Sequence, residues 1–178
     1  LESNSISTLP INTKSALAHD NGFFRIETTG GKTVISRTKI DQPETLLAYL
    51  PLGSYRFEKS RDGRLLLYDA KREQLLVVSD QAESEPILLN VRAIRWMWDA
   101  NYIRLLYTDG YELHLYNVAS HTDETLTRVS DRITDIAWYP VESRFLIAQS
   151  EKVTAREISD LSPVETIIFE GSSIEQFY

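Results

Sequence analysis

A chain that repeats itself about every forty residues is restricted to serial architectures, and this sequence carries such a repeat. Tyr55–Asp69 (YRFEKSRDGRLLLYD), Trp96–Thr108 (WMWDANYIRLLYT) and Ala137–Gln149 (AWYPVESRFLIAQ) share one plan: an aromatic, a short polar turn, then an apolar run of four. Phe57, Trp98 and Trp138 align as equivalent aromatics at separations of 41 and 40 residues, and Phe177 lies another 39 on. The runs Leu65–Tyr68, Arg104–Tyr107 and Phe145–Ala148 keep the same spacing.

Each repeat reads as four strands joined by turns of two to six residues that carry Asp, Gly, Asn, Ser or Pro. The second repeat predicts strands at Tyr55–Lys59, Arg64–Asp69, Gln74–Ser79 and Pro86–Asn90. The third predicts Ala93–Asp99, Ile103–Thr108, Tyr111–Asn117 and Glu124–Val129; the fourth, Ile133–Tyr139, Arg144–Gln149, Val153–Ile158 and Val164–Phe169. No window keeps a capped 3.6-residue period, so helices are not expected. The first repeat is degenerate. Ser15–Thr29 matches Ile103–Asn117, which sets Asn21-Gly22 beside Asp109-Gly110 as tight hairpin turns and leaves Ser3–Leu9, ahead of Pro10, as a weak opening strand.

The middle strands decide the architecture. Leu65-Leu66-Leu67, Leu105-Leu106-Tyr107 and Phe145-Leu146-Ile147 are apolar on both faces. A sheet with one wet face alternates instead. Burial on both faces places each sheet between two others, as in the blades of a β-propeller. A stack or sandwich of meanders is the competing arrangement. The expected organisation is all-β, one propeller unit over 1–178, with repeats at 1–53, 54–91, 92–131 and 132–171 and a further repeat starting at 172–178. That last segment either completes the first repeat, closing the propeller by its termini, or opens the next blade of a larger propeller. In the second case uncovered terminal blades would drive self-association.

Composition narrows the partners. Net charge is −7 with a pI near 5.0, so no basic field exists to hold a nucleic-acid backbone or to dock on anionic lipid. The absence of cysteine removes disulfides and thiolate metal sites. No apolar run reaches the roughly 18 residues that span a bilayer, so no direct membrane insertion is expected within this segment. The chain opens on Leu1 rather than Met, which points to a processed, cut or engineered start.

Candidate chemistry is sparse. His19 precedes Asp20 at a turn, yet no serine in a nucleophile-elbow context accompanies the pair. His114 lies on a strand between Leu113 and Leu115, and His121 in a polar loop with Asp123 and Glu124; no two histidines have metal-ligand spacing. Asp80, Glu83 and Glu85 in QAESEP lack the glycine-bearing pattern of a calcium loop and read as solvated. Gly30-Gly31-Lys32-Thr33 lacks the spacing and following helix of a phosphate loop and reads as a hairpin turn. The expectation is therefore no catalytic, cofactor-binding or metal residues and no cofactor. Tyr55, Phe57, Trp96, Trp98 and Trp138 are expected to pack between blades, the alternative being an aromatic surface at an axial mouth.

Ser60-Arg61-Asp62-Gly63-Arg64 followed by LLLYD, and the inner-strand sequence Ile133–Pro140, resemble WD40-like and TolB-like propellers. Trp98-Asp99 ends a first strand and is not the Trp-Asp signature of WD40 repeats. RVSDRITDIAWYP is similar to propeller regions of PEGA-domain envelope proteins of candidate-phylum bacteria. The resemblance implies a non-enzymatic scaffold for a protein or glycan partner at the bacterial cell envelope, extracytoplasmic or membrane-anchored. The alternative is an accessory or gating propeller of a larger hydrolase such as a prolyl-oligopeptidase-like enzyme. A self-assembling structural protein is a third expectation.

Overall fold

The computed structural model describes residues 13–19, 21–61, 63–89, 91–140, 143–158 and 165–171. These form sixteen strands in four antiparallel sheets, and each sheet consists of four consecutive strands in chain order. They divide into two compact units, Leu1–Leu88 and Leu89–Tyr178, of two sheets each. Ser3–Leu9, Pro10, Asp20, Val164 and the expected repeat start at 172–178, with Phe177, lie outside the described residues.

The first unit opens with β1 (Thr13–His19), β2 (Gly22–Thr29), β3 (Lys32–Lys39) and β4 (Thr45–Leu50). Its second sheet holds β5 (Tyr55–Arg61), β6 (Arg64–Asp69), β7 (Gln74–Ser79) and β8 (Ile87–Leu88). Phe24, Ile26, Ile35, Leu47 and Leu50 of the first sheet meet Tyr55, Leu65, Leu67, Leu76 and Val78 of the second in one buried core. Leu65, Leu66 and Leu67 are all buried, as a middle strand covered on both faces requires. The first strands β1 and β5 approach each other, and at the outer side β4 approaches β7.

The second unit repeats the plan. One sheet is β9 (Arg95–Trp98), β10 (Arg104–Thr108), β11 (Glu112–Asn117) and β12 (Thr122–Arg128); the other is β13 (Asp135–Trp138), β14 (Arg144–Ala148), β15 (Lys152–Glu157) and β16 (Glu165–Glu170). Leu106, Leu113 and Leu115 pack on Ile133, Ile136, Phe145 and Ile147. First strands β9 and β13 again run close together. Trp138 fastens them, its Nε1–H donating to the Met97 carbonyl at 3.1 Å.

Two sequence expectations need correction. Ser15–Thr29 supplies the first and second strands of its sheet, not the second and third. The reason lies in β2, where Phe24 and Ile26 are buried while Arg25 and Glu27 alternate with them. This middle strand lacks the doubly apolar run that marks β6 and β10, so only its turn was left to align, and short polar turns recur at every hairpin. The aromatic alignment at Phe57 is also displaced. Trp98 pairs with Leu105 and Trp138 with Phe145, near the starts of β10 and β14, whereas Phe57 pairs with Leu67, deeper in β6. A tight Arg61–Arg64 hairpin extends β5, while Asp99–Ile103 is a longer loop.

The glycine turns divide by cause. Gly30 and Gly31 link β2 to β3 with φ of 57° and 77°, the two positive values of a tight hairpin turn. The GGKT segment is thus a hairpin. Gly22 has no such φ; it is already paired in β2, and a Cβ there would meet the Thr38 carbonyl oxygen at 2.0 Å. Gly22 is required by close backbone approach rather than by turn geometry.

Candidate functional site

The histidines fall into separate places. His19 ends β1. His121 is exposed in the β11–β12 turn with φ of 56°, its Nδ1 3.4 Å from the Tyr116 hydroxyl. His114 is buried, its ring stacked on Tyr107 at 5.0 Å. Its Nε2 lies 3.3 Å from Glu112 Oε2 and its Nδ1 3.5 Å from Thr125 Oγ1. Hydroxyl, imidazole and carboxylate in that order have the topology of a nucleophile relay. Here, however, the hydroxyl sits at the limit of hydrogen-bond distance, the imidazole is buried against a ring, and Glu112 is engaged by Arg128 at 2.6 Å. Tyr107 donates to Asp123 Oδ2 at 2.6 Å, completing a network that holds β10, β11 and β12 together.

The acidic loop between β7 and β8 is structural at one end. Asp80 is half-buried against Arg37 at 3.3 Å, so its reading as solvated is corrected; Glu83 and Glu85 are exposed as expected. The loop docks on the outer side of β4, where Glu83 N–H donates to the Leu46 carbonyl at 3.2 Å and Ser84 N–H to the Leu47 carbonyl at 2.8 Å. Among the described residues no group of three or more His, Asp or Glu side chains could hold a metal. The aromatics lie on first strands. Tyr55 is buried; Phe57, Trp96, Trp98 and Trp138 are half-buried. The Arg104 guanidinium covers the Trp138 ring at 4.7 Å, and Trp98 stands 6.2 Å from the Tyr102 ring.

A recess of about 320 Å³ opens in the first unit, a volume within the range of ligand sites. Tyr49, Leu50 and Pro51 from β4 and its exit line one side; Leu76, Pro86 and Leu88 line the other. Asp69 and Arg72 contribute from the β6–β7 turn. Leu88 is 53% exposed, so the recess has an accessible apolar wall.

Asp69 organises the base of this recess. It is 1% exposed, and burial by itself disfavours its charge. The Arg72 guanidinium and the backbone N–H groups of Ser54 and Lys71 more than offset that, holding its carboxyl below the usual range. Oδ1 accepts from Ser54 at 3.2 Å and Lys71 at 3.0 Å, and Oδ2 from Arg72. Arg72 also donates to the Leu52 carbonyl at 3.1 Å. The Tyr55 phenol is raised, by burial first and then by the Asp69 charge. Gly53 fits because a Cβ there would lie 2.5 Å from the Tyr55 ring. Sequence reasoning missed this cluster, because Asp69 reads only as the last residue of the predicted strand Arg64–Asp69 and nothing in the pattern singles out Arg72; the one available signal was a charged residue at the end of an apolar strand.

No protein-family model and no curated protein sequence matches the chain. Solved structures do match in fold. AztD from Citrobacter koseri, in its apo form, aligns with a TM-score of 0.56 at 12% identity, over 91% of this chain and 48% of its own. A chain of the nidogen/laminin complex aligns at 0.52 and 9% identity, over 92% of this chain and 67% of its own. This chain therefore spans about half the length of the AztD structure and about two thirds of the other. AztD is a propeller-type fold. With four four-stranded antiparallel sheets and no helix among the described residues, the present fold is an all-β propeller type as well.

Proposed function

We propose that this chain is a non-enzymatic propeller scaffold that binds a protein or glycan partner, and that the recess beside Asp69 and Arg72 is a contact site. The carrying observation is a concave, largely apolar surface whose charged pair is neutralised internally and positioned by backbone amides. Rigid sheets present such a surface through loops that vary without disturbing the core. Its residue types suit recognition better than bond-breaking: Asp69 is occupied on both oxygens, and a general base must have a lone pair facing its substrate. The resemblance to PEGA-domain envelope proteins supports a place of action at the bacterial cell envelope.

The test is capture on peptide-display and glycan arrays by the purified chain, with Leu88→Lys as the recess variant. Selective capture that the variant loses supports the reading. Turnover of a chromogenic ester, glycoside or peptide substrate by the purified chain, reduced by substitution of Asp69 or His114, would overturn the non-enzymatic part.

A further inference from the structure

Resting on that reading, we propose that the recess takes an apolar side chain from an extended protein segment, which adds as a strand to the outer edge of β4 at Tyr49. The charged pair that lines the recess is already engaged, and the Gln74 amide and the Tyr49 hydroxyl are its other polar groups. Asp69 accepts three hydrogen bonds, and Arg72 donates to Asp69 and to the Leu52 carbonyl. A sugar carries a hydroxyl on most ring carbons, and burial without partners for those hydroxyls is unfavourable. An apolar side chain makes no such demand, and Leu50, Leu76, Pro86 and Leu88 offer it a matching surface.

The backbone beside the recess supplies the rest of the segment's needs. The chain already shows an extended piece seated on this edge: Glu83 and Ser84 donate their amides to Leu46 and Leu47. A bulge at Leu47 turns the Leu46 and Leu47 carbonyls outward. Beyond it the ladder is regular: Lys32 closes the two-residue hairpin toward β2, so by alternation Val34 also faces β2, and Tyr49, opposite Val34, turns its amide and carbonyl to the outer side. Among the described residues, Tyr49 forms no backbone hydrogen bond outside the β3–β4 ladder. An incoming strand would extend the line begun by Glu83 and Ser84 and place alternate side chains toward the recess. Main-chain bonds then provide affinity and the recess provides side-chain selection.

The test uses acetylated, amidated pentapeptides Thr-Thr-X-Thr-Thr with X as Leu, Phe or Ala, and maltohexaose and chitotriose as sugars. Each is titrated into the isotope-labelled chain, and amide shifts are followed by NMR. The proposal expects the Leu and Phe peptides to shift the Tyr49 and Leu88 amides, with the Ala peptide at least tenfold weaker (about 1.4 kcal/mol). Leu88→Lys, at an exposed position, should abolish the shifts while the melting temperature stays at the wild-type value. N-methylation at X should also abolish them, because it removes the amide that pairs with β4. Equal binding of Leu and Ala peptides, or of the N-methylated peptide, overturns the proposal. Sugar-induced shifts at the recess without peptide-induced ones overturn it too, but leave the binding-scaffold reading standing. No shift from any probe, combined with array capture that Leu88→Lys does not affect, overturns both the proposal and the assignment of the recess as the contact site, and leaves the binding-scaffold reading standing.

Discussion

Removing the Asp69 carboxylate is the sharpest single perturbation of the first unit. Asp69→Ala leaves the Ser54 and Lys71 amides without their acceptor and the Arg72 guanidinium without its counter-ion. Each hydrogen bond to a charged group contributes about 1.5–3 kcal/mol net. Arg72 is exposed and regains water, and the turn amides regain part of it, so the loss is well below the sum. About 2–3 kcal/mol is expected, a fall in melting temperature of about 4–12 °C for a chain of this size. Urea denaturation should show the midpoint moving with an unchanged slope. Asp69→Asn keeps one acceptor for the turn amides and should lose about half as much. The pH dependence carries a definite sign. The folded carboxyl is held below its ordinary value of 3.8, so its stabilisation is fully present above that value and is lost as pH falls through the folded value. The stability gap between wild type and Asp69→Asn should therefore be constant near neutrality and close in strong acid. A loss under about 0.5 kcal/mol for Asp69→Ala, the level of an ordinary surface change, would refute the role assigned to this carboxylate.

Gly22→Ala should destabilise by about 3 kcal/mol, because the new methyl meets backbone at the Thr38 carbonyl; circular-dichroism melting within 2 °C of wild type would contradict that contact (about 1 kcal/mol or less). Leu67→Ala, at a fully buried position, should lose about 3 kcal/mol, while Ile168→Ala, exposed on β16, should stay within about 0.5 kcal/mol in the same denaturation assay. Trp98→Ala should lower the melting temperature by about 3–12 °C through lost aromatic burial; no change would move Trp98 from the packed interior to the surface.

The sheets were legible in the sequence because their signal is local. Gln74–Ser79 is predicted and observed with the same ends, and Arg64–Asp69 likewise. Leu65-Leu66-Leu67 announces a strand without a wet face, which is why the all-β class could be read at all. Where a strand alternates, as in β2 with Arg25 and Glu27, the neighbouring turn no longer tells which strand of the sheet it follows. The aromatic pattern similarly located the first strands but misjudged the depth of Phe57, since hairpin length sets register and a tight turn looks much like a looser loop.

The four-stranded repeat is written in residue order along short segments, and so it could be read without coordinates. Only tertiary structure brought Asp69 under the Ser54 amide and Tyr55, seated the Glu83-Ser84 segment on β4, and opened the recess between Leu50 and Leu88. Those groups lie on different strands or in different sheets. Their meeting depends on how one sheet packs on its neighbour, and no local pattern in the chain encodes that distance.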